Sequence, residues 1–147
     1  MPADKKLGPL SELNRIIREN RIGDYRSPNA ALGMRPIAFG PGTARWSWTD
    51  QPPATINPFG TLQGGYIALF IDELFSSAIG SVLEEGEWAV TLEVKISYLR
   101  ALKPGTLEGV ANIIRRTRTI AFLEARVLDP DGQPAVTAGS TWAISRA

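Results

Sequence analysis

The sequence predicts an α+β fold in which a curved antiparallel sheet of about six strands wraps around one long central helix. Three observations favour it. A segment near the middle of the chain is apolar around most of a helical circumference. Six other segments have the alternation or the β-branched content of strands, and glycine- or proline-containing turns separate them. A helix that is apolar on most sides must be buried by other elements. A curved sheet can bury it with its apolar face and keep its polar face in solvent.

Length and composition indicate one globular domain. The chain has 147 residues, 44% of them apolar, and a formal net charge of +1. We expect a single domain over residues 1–147, with an N-terminal helix and loop in 1–30 and the core in 31–147. No apolar run approaches the roughly 18 residues of a membrane span. With no secretory signal and no cysteine, we expect a soluble, cytoplasmic protein whose near-neutral charge disfavours nucleic acid as a partner.

The chain contains neither histidine nor cysteine. This excludes Ser-His-Asp and Cys-His nucleophile systems, zinc sites built on those side chains, and hydratases that use a His-carboxylate pair. We expect no metal and no cofactor. Any catalysis must therefore use carboxylates, amides, hydroxyls and the backbone.

The first part of the chain predicts a short helix followed by a hairpin. Ser11 to Asn20 has the pattern of a short amphipathic helix with a serine N-cap. Leu32 to Phe39 and Thr43 to Thr49 read as two strands joined by Gly40-Pro41-Gly42. Trp46 and Trp48 fall on one face of the second strand, which favours a place in the core or in an interface.

The central helix follows a glycine pair. From Tyr66 to Ile71 every residue is apolar or aromatic, and apolar residues resume at Leu74 and continue to Gly80. Gly64-Gly65 leaves amide N–H groups of the first turn free to bind an incoming oxygen at the positive end of the helix dipole. These residues predict half of an oxyanion site.

Two adjacent carboxylates, Asp72 and Glu73, interrupt the apolar helix about 100° apart. The apolar surroundings favour a chemical role for Asp72 over a plain surface position. For Glu73 we favour a solvent-facing or ion-paired role and keep it as the substitute acid. Ser76 lies one turn after Asp72 on the same face, where it can either bond back within the helix or support the acid.

Four strands are predicted after the helix. Trp88 to Leu99 alternates regularly, which predicts a long strand with one apolar and one polar face. The apolar face would carry Val90, Leu92, Val94, Ile96 and Tyr98. The other three strands are Thr106 to Arg116, Thr119 to Leu128 and Ala135 to Ile144, with turns at Lys103-Pro104-Gly105 and Asp129 to Gly132. The whole order predicts a hotdog-like arrangement.

The residues at the start of the helix also resemble those of a known family. Residues 57–65 read Asn-Pro-Phe-Gly-Thr-Leu-Gln-Gly-Gly, and Asp72 follows seven residues later. This is similar to the Asn-x-x-Gly-Thr-Leu-His-Gly-Gly motif of the hotdog-fold acyl-CoA thioesterases of the phenylacetic-acid-degradation (PaaI) type. Residues 91–100, the 103–105 turn, residues 118–122 and the Asp131-Gly132 hairpin also fall in family register. The resemblance covers roughly Leu32 to Ile144.

The resemblance implies roles for several residues. Asp72 corresponds to the catalytic acid, as nucleophile or as the base that activates water, and the Gly65 N–H to the oxyanion donor. Asn57 resembles a residue that orients the water or the thioester, and Thr91 one that hydrogen-bonds near the acid across a subunit interface. In the family the two halves of each site come from different chains. A homodimer is therefore expected, and a homotetramer formed by two dimers.

The resemblance also implies where acyl-CoA binds. Gly64, Phe59, Tyr66 and Ser76 are the residues near the motif that we expect against the substrate. The expected contacts with CoA phosphates are Arg100, Lys103, Arg116 and Arg118. Without a role in phosphate binding, the basic cluster around Arg116 would be an ordinary solvent-exposed strand end.

One position departs from the family pattern. Most members have histidine where this chain has Gln63, whose amide forms hydrogen bonds but carries no proton. If the histidine only supports the geometry of the loop, Gln63 preserves the site. If it transfers a proton, activity should be low or the substrate different. Gln63 also motivates the alternative function, a non-catalytic hotdog protein that binds acyl-CoA or a related ligand.

Overall fold

The computed structural model describes residues 12–146. Helix α1 covers residues 12–18, and the predicted N-cap Ser11 lies outside the described residues. Helix α2 is the predicted central helix, Gly64–Gly80. The strands are β1 (Met34–Phe39), β2 (Thr43–Trp48), β3 (Glu87–Tyr98), β4 (Leu107–Arg116), β5 (Ile120–Leu128) and β6 (Pro134–Arg146).

The six strands form one antiparallel sheet in the order β1-β2-β4-β5-β6-β3. Helix α2 packs on one face of this sheet, against strands from β1 to β5. The predicted hotdog fold is therefore confirmed. Strand β3 follows α2 in the chain and pairs only with β6, so it forms one edge of the sheet.

The core lies between α2 and the sheet. Trp46 and Trp48 are fully buried there, as the alternation in β2 predicts. The Trp46 indole donates to Ser77 Oγ of α2 over 2.9 Å, so its polar atom is satisfied. Gly109 of β4 allows the close approach of the helix, because a Cβ at that position would lie 2.6 Å from Leu74 Cδ1.

Strand β1 begins later than predicted. Residues Pro28–Leu32 form a 3-10 turn, and the Ser27 hydroxyl caps it by accepting from the Asn29 N–H over 3.1 Å. Gly33 then takes a φ of 89°, a left-handed conformation that suits glycine. The expected strand start at Leu32 is therefore wrong by two residues.

The alternation predicted for β3 is wrong in one respect. The β3–β6 ladder pairs Thr91 with Trp142 and Glu93 with Thr141, so Leu92 is the extra residue of a β-bulge. Opposed residues in an antiparallel pair share a face. Val90, opposite Ala143, lies on the outer face of the sheet, whereas Val94, opposite the buried Ser140, lies on the inner face.

The bulge divides the apolar residues of β3 between two faces. Ile96 and Tyr98 follow Val94 on the inner face, and much of this strand is open to solvent in the single chain. Val90 is 51% exposed and Leu92 57% exposed. Strand β3 is thus a long edge strand with apolar side chains on both faces. Within residues 12–146, no helix has both the length and the apolarity to cross a membrane.

Candidate active site

The first turn of α2 presents two backbone donors. Gly64 and Gly65 are both exposed, and within residues 12–146 neither amide N–H donates to a protein acceptor. A Cβ at Gly65 would meet nothing within 4 Å, so the space in front of this turn is open. Free N–H groups at the positive end of a helix form a site for an oxygen that carries negative charge.

Two side chains shape the loop before this turn. The Asn57 Oδ1 accepts from the N–H groups of Phe59 and Thr61, and its Nδ2 donates to Thr61 Oγ1 over 2.7 Å. The Gln63 Nε2 donates to the Ala54 carbonyl over 2.9 Å. In the single chain both residues therefore hold the loop in shape.

Tyr98 is a residue that the sequence reasoning placed only as a strand residue. Its hydroxyl donates to the Gly64 carbonyl over 2.8 Å and so joins the end of β3 to the start of α2. A Cβ at Gly64 would lie 3.2 Å from the Tyr98 hydroxyl oxygen, so a side chain there would have to push the tyrosine aside by a few tenths of an ångström. The signal available in the sequence was an aromatic residue with a polar tip at the end of the edge strand.

Asp72 lies two turns further along α2 and is exposed in the single chain. No donor among the described residues hydrogen-bonds its carboxylate. Partial desolvation by its apolar neighbours nevertheless raises the pKa of Asp72 above the ordinary value of 3.8. The chain thus carries an unpartnered carboxylate whose basicity is increased.

Glu73 has the opposite surroundings. Its Oε1 accepts from Ser27 Oγ over 3.0 Å and from Asn29 Nδ2, both in the segment that precedes β1. Burial raises the pKa of Glu73, and these two hydrogen bonds oppose the shift. Burial beside Glu73 also raises the pKa of Tyr25. Glu73 therefore fastens the 25–29 segment to α2.

Ser76 and Thr91 are two further residues that the sequence placed near Asp72. The Ser76 hydroxyl donates to the Glu73 carbonyl over 3.2 Å, which is the bond within the helix that the sequence left open. Thr91 is exposed on β3, on the inner face opposite Trp142. Among the hydrogen bonds of residues 12–146, none joins either residue to Asp72.

The basic residues expected near CoA phosphates separate into two groups. Arg100 lines a groove of about 360 Å³ with Gly64 and Tyr98 at the start of α2, and its guanidinium lies 3.4 Å from Asp129 Oδ2. Lys103 is exposed three residues later. Arg116 pairs instead with the buried Glu87 over 2.6 Å.

Arg116 also donates to the Val82 carbonyl, so it lies beyond the far end of α2, and Arg118 is exposed in the turn that follows β4. Helix α2 has 17 residues and is about 25 Å long. One chain therefore cannot bring all four cations to one phosphate. Burial alone would raise the pKa of Glu87, but hydrogen bonds from the Glu84 N–H and from Arg116 lower it, so Arg116 is part of a structural ion pair.

The expected substrate-facing aromatics are also separated. Phe59 projects from the 57–61 loop with 90% of its surface exposed, far more than is usual for an aromatic side chain. Tyr66 is half-buried against the core. Within the described residues, no group of three or more carboxylates forms an arrangement that could hold a metal ion.

The chain and its fold match those of known proteins. The model of the thioesterase superfamily matches residues 59–136, which is more than half of the chain. The chain belongs to the thioesterase superfamily. The match begins in the loop before α2 and includes Gly65, Asp72 and all of β3.

Individual relatives agree with this assignment. A Haemophilus influenzae protein named "Putative esterase" is 30% identical over 119 residues, which are 79% of this chain and 78% of the relative. A Pseudomonas aeruginosa thioesterase of known structure is 28% identical, with a TM-score of 0.76. The superposition covers 89% of this chain and 94% of the Pseudomonas chain. A phenylacetic acid degradation-related protein of Ralstonia eutropha has 26% identity and a TM-score of 0.75, with 89% and 98% covered. Thioester hydrolysis is therefore the reaction class of this chain.

Proposed function

We propose that this thioesterase hydrolyses acyl-CoA to a free acid and CoA, with Asp72 as the catalytic acid-base group or nucleophile and the Gly65 N–H as oxyanion donor. The observation that carries the proposal is that one helix has free amides in its first turn and also a carboxylate with a raised pKa that no donor within residues 12–146 hydrogen-bonds. A carboxylate left unpartnered among apolar side chains is available for chemistry.

The proposed chemistry needs only groups that the chain possesses. The thioester carbonyl oxygen accepts from the Gly65 N–H, which polarises the carbonyl carbon. Asp72 takes a proton from water as the water oxygen attacks that carbon, or attacks the carbon itself to give an anhydride that water then opens. The C–S bond breaks, the electron pair leaves on the CoA sulfur, and the proton ends on the thiol.

We further propose that each site is shared between two chains. Seven residues separate Gly65 from Asp72, so their backbones lie about 10 Å apart along one helix. A carbonyl held by the Gly65 amide is too far for direct attack by the Asp72 of the same helix. A second, antiparallel copy of α2 alongside the first would bring the Asp72 of one chain to the Gly65 of the other.

Strand β3 supplies the surface for this dimer. Its free edge runs for 12 residues and contains no proline, and its apolar side chains are exposed on both faces. Such an edge pairs readily with another strand unless something covers it. We propose that the β3 strands of two copies pair antiparallel across a twofold axis. The exposed outer face, with Val90 and Phe122, gives two such dimers a surface on which to form the expected tetramer.

A complementation experiment tests the shared site. Asp72→Ala removes the acid, and Gly65→Pro removes the amide donor at a first-turn position where proline is tolerated. Each variant alone should be inactive. Mixed and refolded together in equal amounts, they should recover about a quarter of wild-type activity, because half of the dimers are mixed and each has one intact site. A mixture without activity would contradict the shared site.

Thiol release from a panel of acyl-CoAs tests the reaction itself. The chain has no cysteine, so a disulfide reagent meets no protein thiol. The panel runs from short aliphatic to arylacetyl and benzoyl thioesters. Turnover by wild type that disappears in Asp72→Ala is the expected result. Tight binding of CoA esters without thiol release would favour the non-catalytic alternative that Gln63 raises.

A further inference from the structure

The Tyr98 hydroxyl bonds to one particular peptide of α2. It donates to the Gly64 carbonyl over 2.8 Å. A carbonyl and the N–H of the next residue belong to the same planar peptide unit. The Gly64 carbonyl therefore shares its unit with the Gly65 N–H, which is the proposed oxyanion donor. Tyr98 thus binds one end of the peptide whose other end would face the substrate oxygen.

This contact distinguishes the two free amides of the first turn. Within residues 12–146, no other side chain donates to a carbonyl of residues 64–67. The Gly64 N–H is also free, but the carbonyl of its peptide unit belongs to Gln63 and accepts from two backbone N–H groups of the helix itself. One free amide therefore depends on the helix alone, whereas the Gly65 amide is also tied to a side chain of β3.

Tyr98 is half exposed in the single chain, but its ring is held against the glycine. A Cβ at Gly64 would lie 3.3 Å from the ring carbon Cζ and 3.5 Å from Cε1. The chain after the tyrosine is fixed on two sides, because the Leu99 N–H donates to a carbonyl of β6 over 2.9 Å and the Leu102 carbonyl accepts from the Leu62 N–H over 2.8 Å. These bonds join the end of β3 to β6 and to the loop before α2, and they keep the hydroxyl at the carbonyl.

A hydrogen bond to a peptide carbonyl also changes the N–H of the same unit. It draws electron density towards the oxygen and increases the double-bond character of the C–N bond, which leaves the N–H more positive. Successive hydrogen bonds strengthen one another in this way by about 10 to 30% per bond. The bond also fixes the plane of the peptide, and with it the direction of the Gly65 N–H. Oxyanion donors stabilise the transition state best when their direction is set before the reaction.

We propose that Tyr98 is a positioning residue of the oxyanion site: its hydroxyl orients the Gly64–Gly65 peptide and makes the Gly65 N–H a stronger donor. The inference rests on the proposed function, in which that N–H binds the thioester oxygen. Tyr98 acts through the peptide and not on the substrate. Negative charge on the thioester oxygen grows in the transition state, so Tyr98 should contribute to kcat more than to substrate binding.

Removing the hydroxyl tests the proposal. Tyr98→Phe keeps the ring and loses the donor. Loss of a whole oxyanion donor lowers kcat by about 10²- to 10³-fold, and the cooperative share of that effect is a fall of roughly 2- to 8-fold. KM should change by less than about twofold. The matched control is Tyr25→Phe, which removes a phenol hydroxyl beside Glu73 and should leave kcat at the wild-type value. An unchanged kcat in Tyr98→Phe would overturn the proposal.

A graded series separates hydrogen bonding from packing. Fluorine on the ring makes a phenol hydroxyl a stronger donor and changes its size little. With monofluorotyrosine and then difluorotyrosine placed at position 98 alone, kcat should increase stepwise above that of wild type, at a pH at which every phenol keeps its proton. A hydroxyl with a merely structural role would give the same kcat throughout the series, and that result would overturn the proposal.

A spectroscopic measurement separates this proposal from the proposed function. A spectrum that correlates each amide with the preceding carbonyl carbon reports the Gly65 N–H and the Gly64 carbonyl in one signal, without substrate. In Tyr98→Phe that carbonyl carbon should lose the shift that a hydrogen bond gives it, and the signal of the Gly64 N–H with the Gln63 carbonyl should move much less. An unmoved Gly65 signal would overturn the proposal whether or not wild type releases thiol. A moved signal without thiol release by wild type would support the bond to the peptide and contradict only the proposed function.

Discussion

Asp72 and Glu73 are neighbours in α2, but the regions around them differ. Around Glu73 the preceding segment folds back, and Ser27 and Asn29 donate to the carboxylate. Around Asp72 the helix is open, and no donor in the described part of the chain reaches the carboxylate. Both acids have a raised pKa, and desolvation is the first cause in each case, although the Asp72 side chain remains exposed.

The difference indicates how one helix serves folding and chemistry together. Hydrogen bonds that hold a carboxylate also fix its geometry and consume its lone pairs, so Glu73 is suited to stabilising the fold. Asp72 keeps its lone pairs and gains basicity from its apolar surroundings. A rotation of about 100° around the helix axis separates the two tasks.

The largest expected effect is the loss of activity in Asp72→Asn. The amide keeps the shape of the side chain but neither attacks a carbonyl nor takes a proton from water. We expect kcat to fall by about 10²- to 10⁴-fold, with the melting temperature retained. Thiol release and thermal unfolding measure the two quantities.

The matched control is Glu73→Gln, one residue away and equally conservative. It should retain kcat within about tenfold, since Glu73 acts through the fold and not on the substrate. If Glu73→Gln lost as much activity as Asp72→Asn, the division of roles between the two acids would be wrong.

For stability we expect the opposite of the result for activity: substituting Glu73 should have the larger effect and substituting Asp72 the smaller. Glu73→Ala leaves Ser27 and Asn29 without their acceptor and frees the 25–29 segment. We expect the free energy of unfolding to fall by about 1 to 3 kcal/mol, as for other buried polar groups that lose a partner. Denaturant unfolding measures this loss. Adding Asn29→Ala to Glu73→Ala should cost much less than Asn29→Ala alone in wild type, and full additivity would show that the two residues are not coupled.

The pH dependence gives a smaller and more specific effect. Because desolvation raises the pKa of Asp72 above 3.8, the acidic limb of kcat/KM should bend at a pH above that value. A carboxyl whose pKa is raised on folding adds stability below its unfolded pKa, and the folded state loses that stability as pH rises through the folded pKa. Wild type should therefore lose stability relative to Asp72→Asn over that interval. If the acidic limb of the kcat/KM profile instead had its midpoint at or below pH 3.8, Asp72 would not be a desolvated base.

Gln63→His should have the smallest effect. The Gln63 amide donates to the Ala54 carbonyl, and an imidazole N–H can donate to the same oxygen. We expect kcat/KM to change by less than roughly threefold, because a comparable hydrogen bond replaces the lost one. A large gain in kcat, with a new bend near neutral pH, would show instead that the family's histidine transfers a proton and that Gln63 has weakened the enzyme.

Much of the architecture could be read from the sequence because it depends on local pattern. The apolar helix, the glycine pair before it and the turns after it each have a clear periodic or conformational signal. The bulge at Leu92 has none, because its neighbours alternate as they would in a regular strand, and only pairing with β6 reveals the extra residue. A strand that slips by one residue exchanges its two faces.

The site was harder to predict than the fold. The motif singled out Asp72 and Gly65, but the partners of Glu73 come from residues more than 40 positions away. The Tyr98 contact with Gly64 likewise depends on long-range packing, as does the burial of the Trp142 indole N–H, for which the described residues supply no acceptor. A single sequence contains no signal for contacts of this kind.

The bulge at Leu92 makes the residue count of β3 part of the site. Deleting Leu92 itself would leave Thr91 opposite Trp142 and Glu93 opposite Thr141, but deleting a regularly paired residue between Glu93 and Tyr98 would turn the side chains that follow it to the opposite face. Tyr98 would then swing away from Gly64, and the free edge would offer a partner strand a different set of side chains. A change in length should therefore be rejected between Glu93 and Tyr98 and tolerated at Leu92.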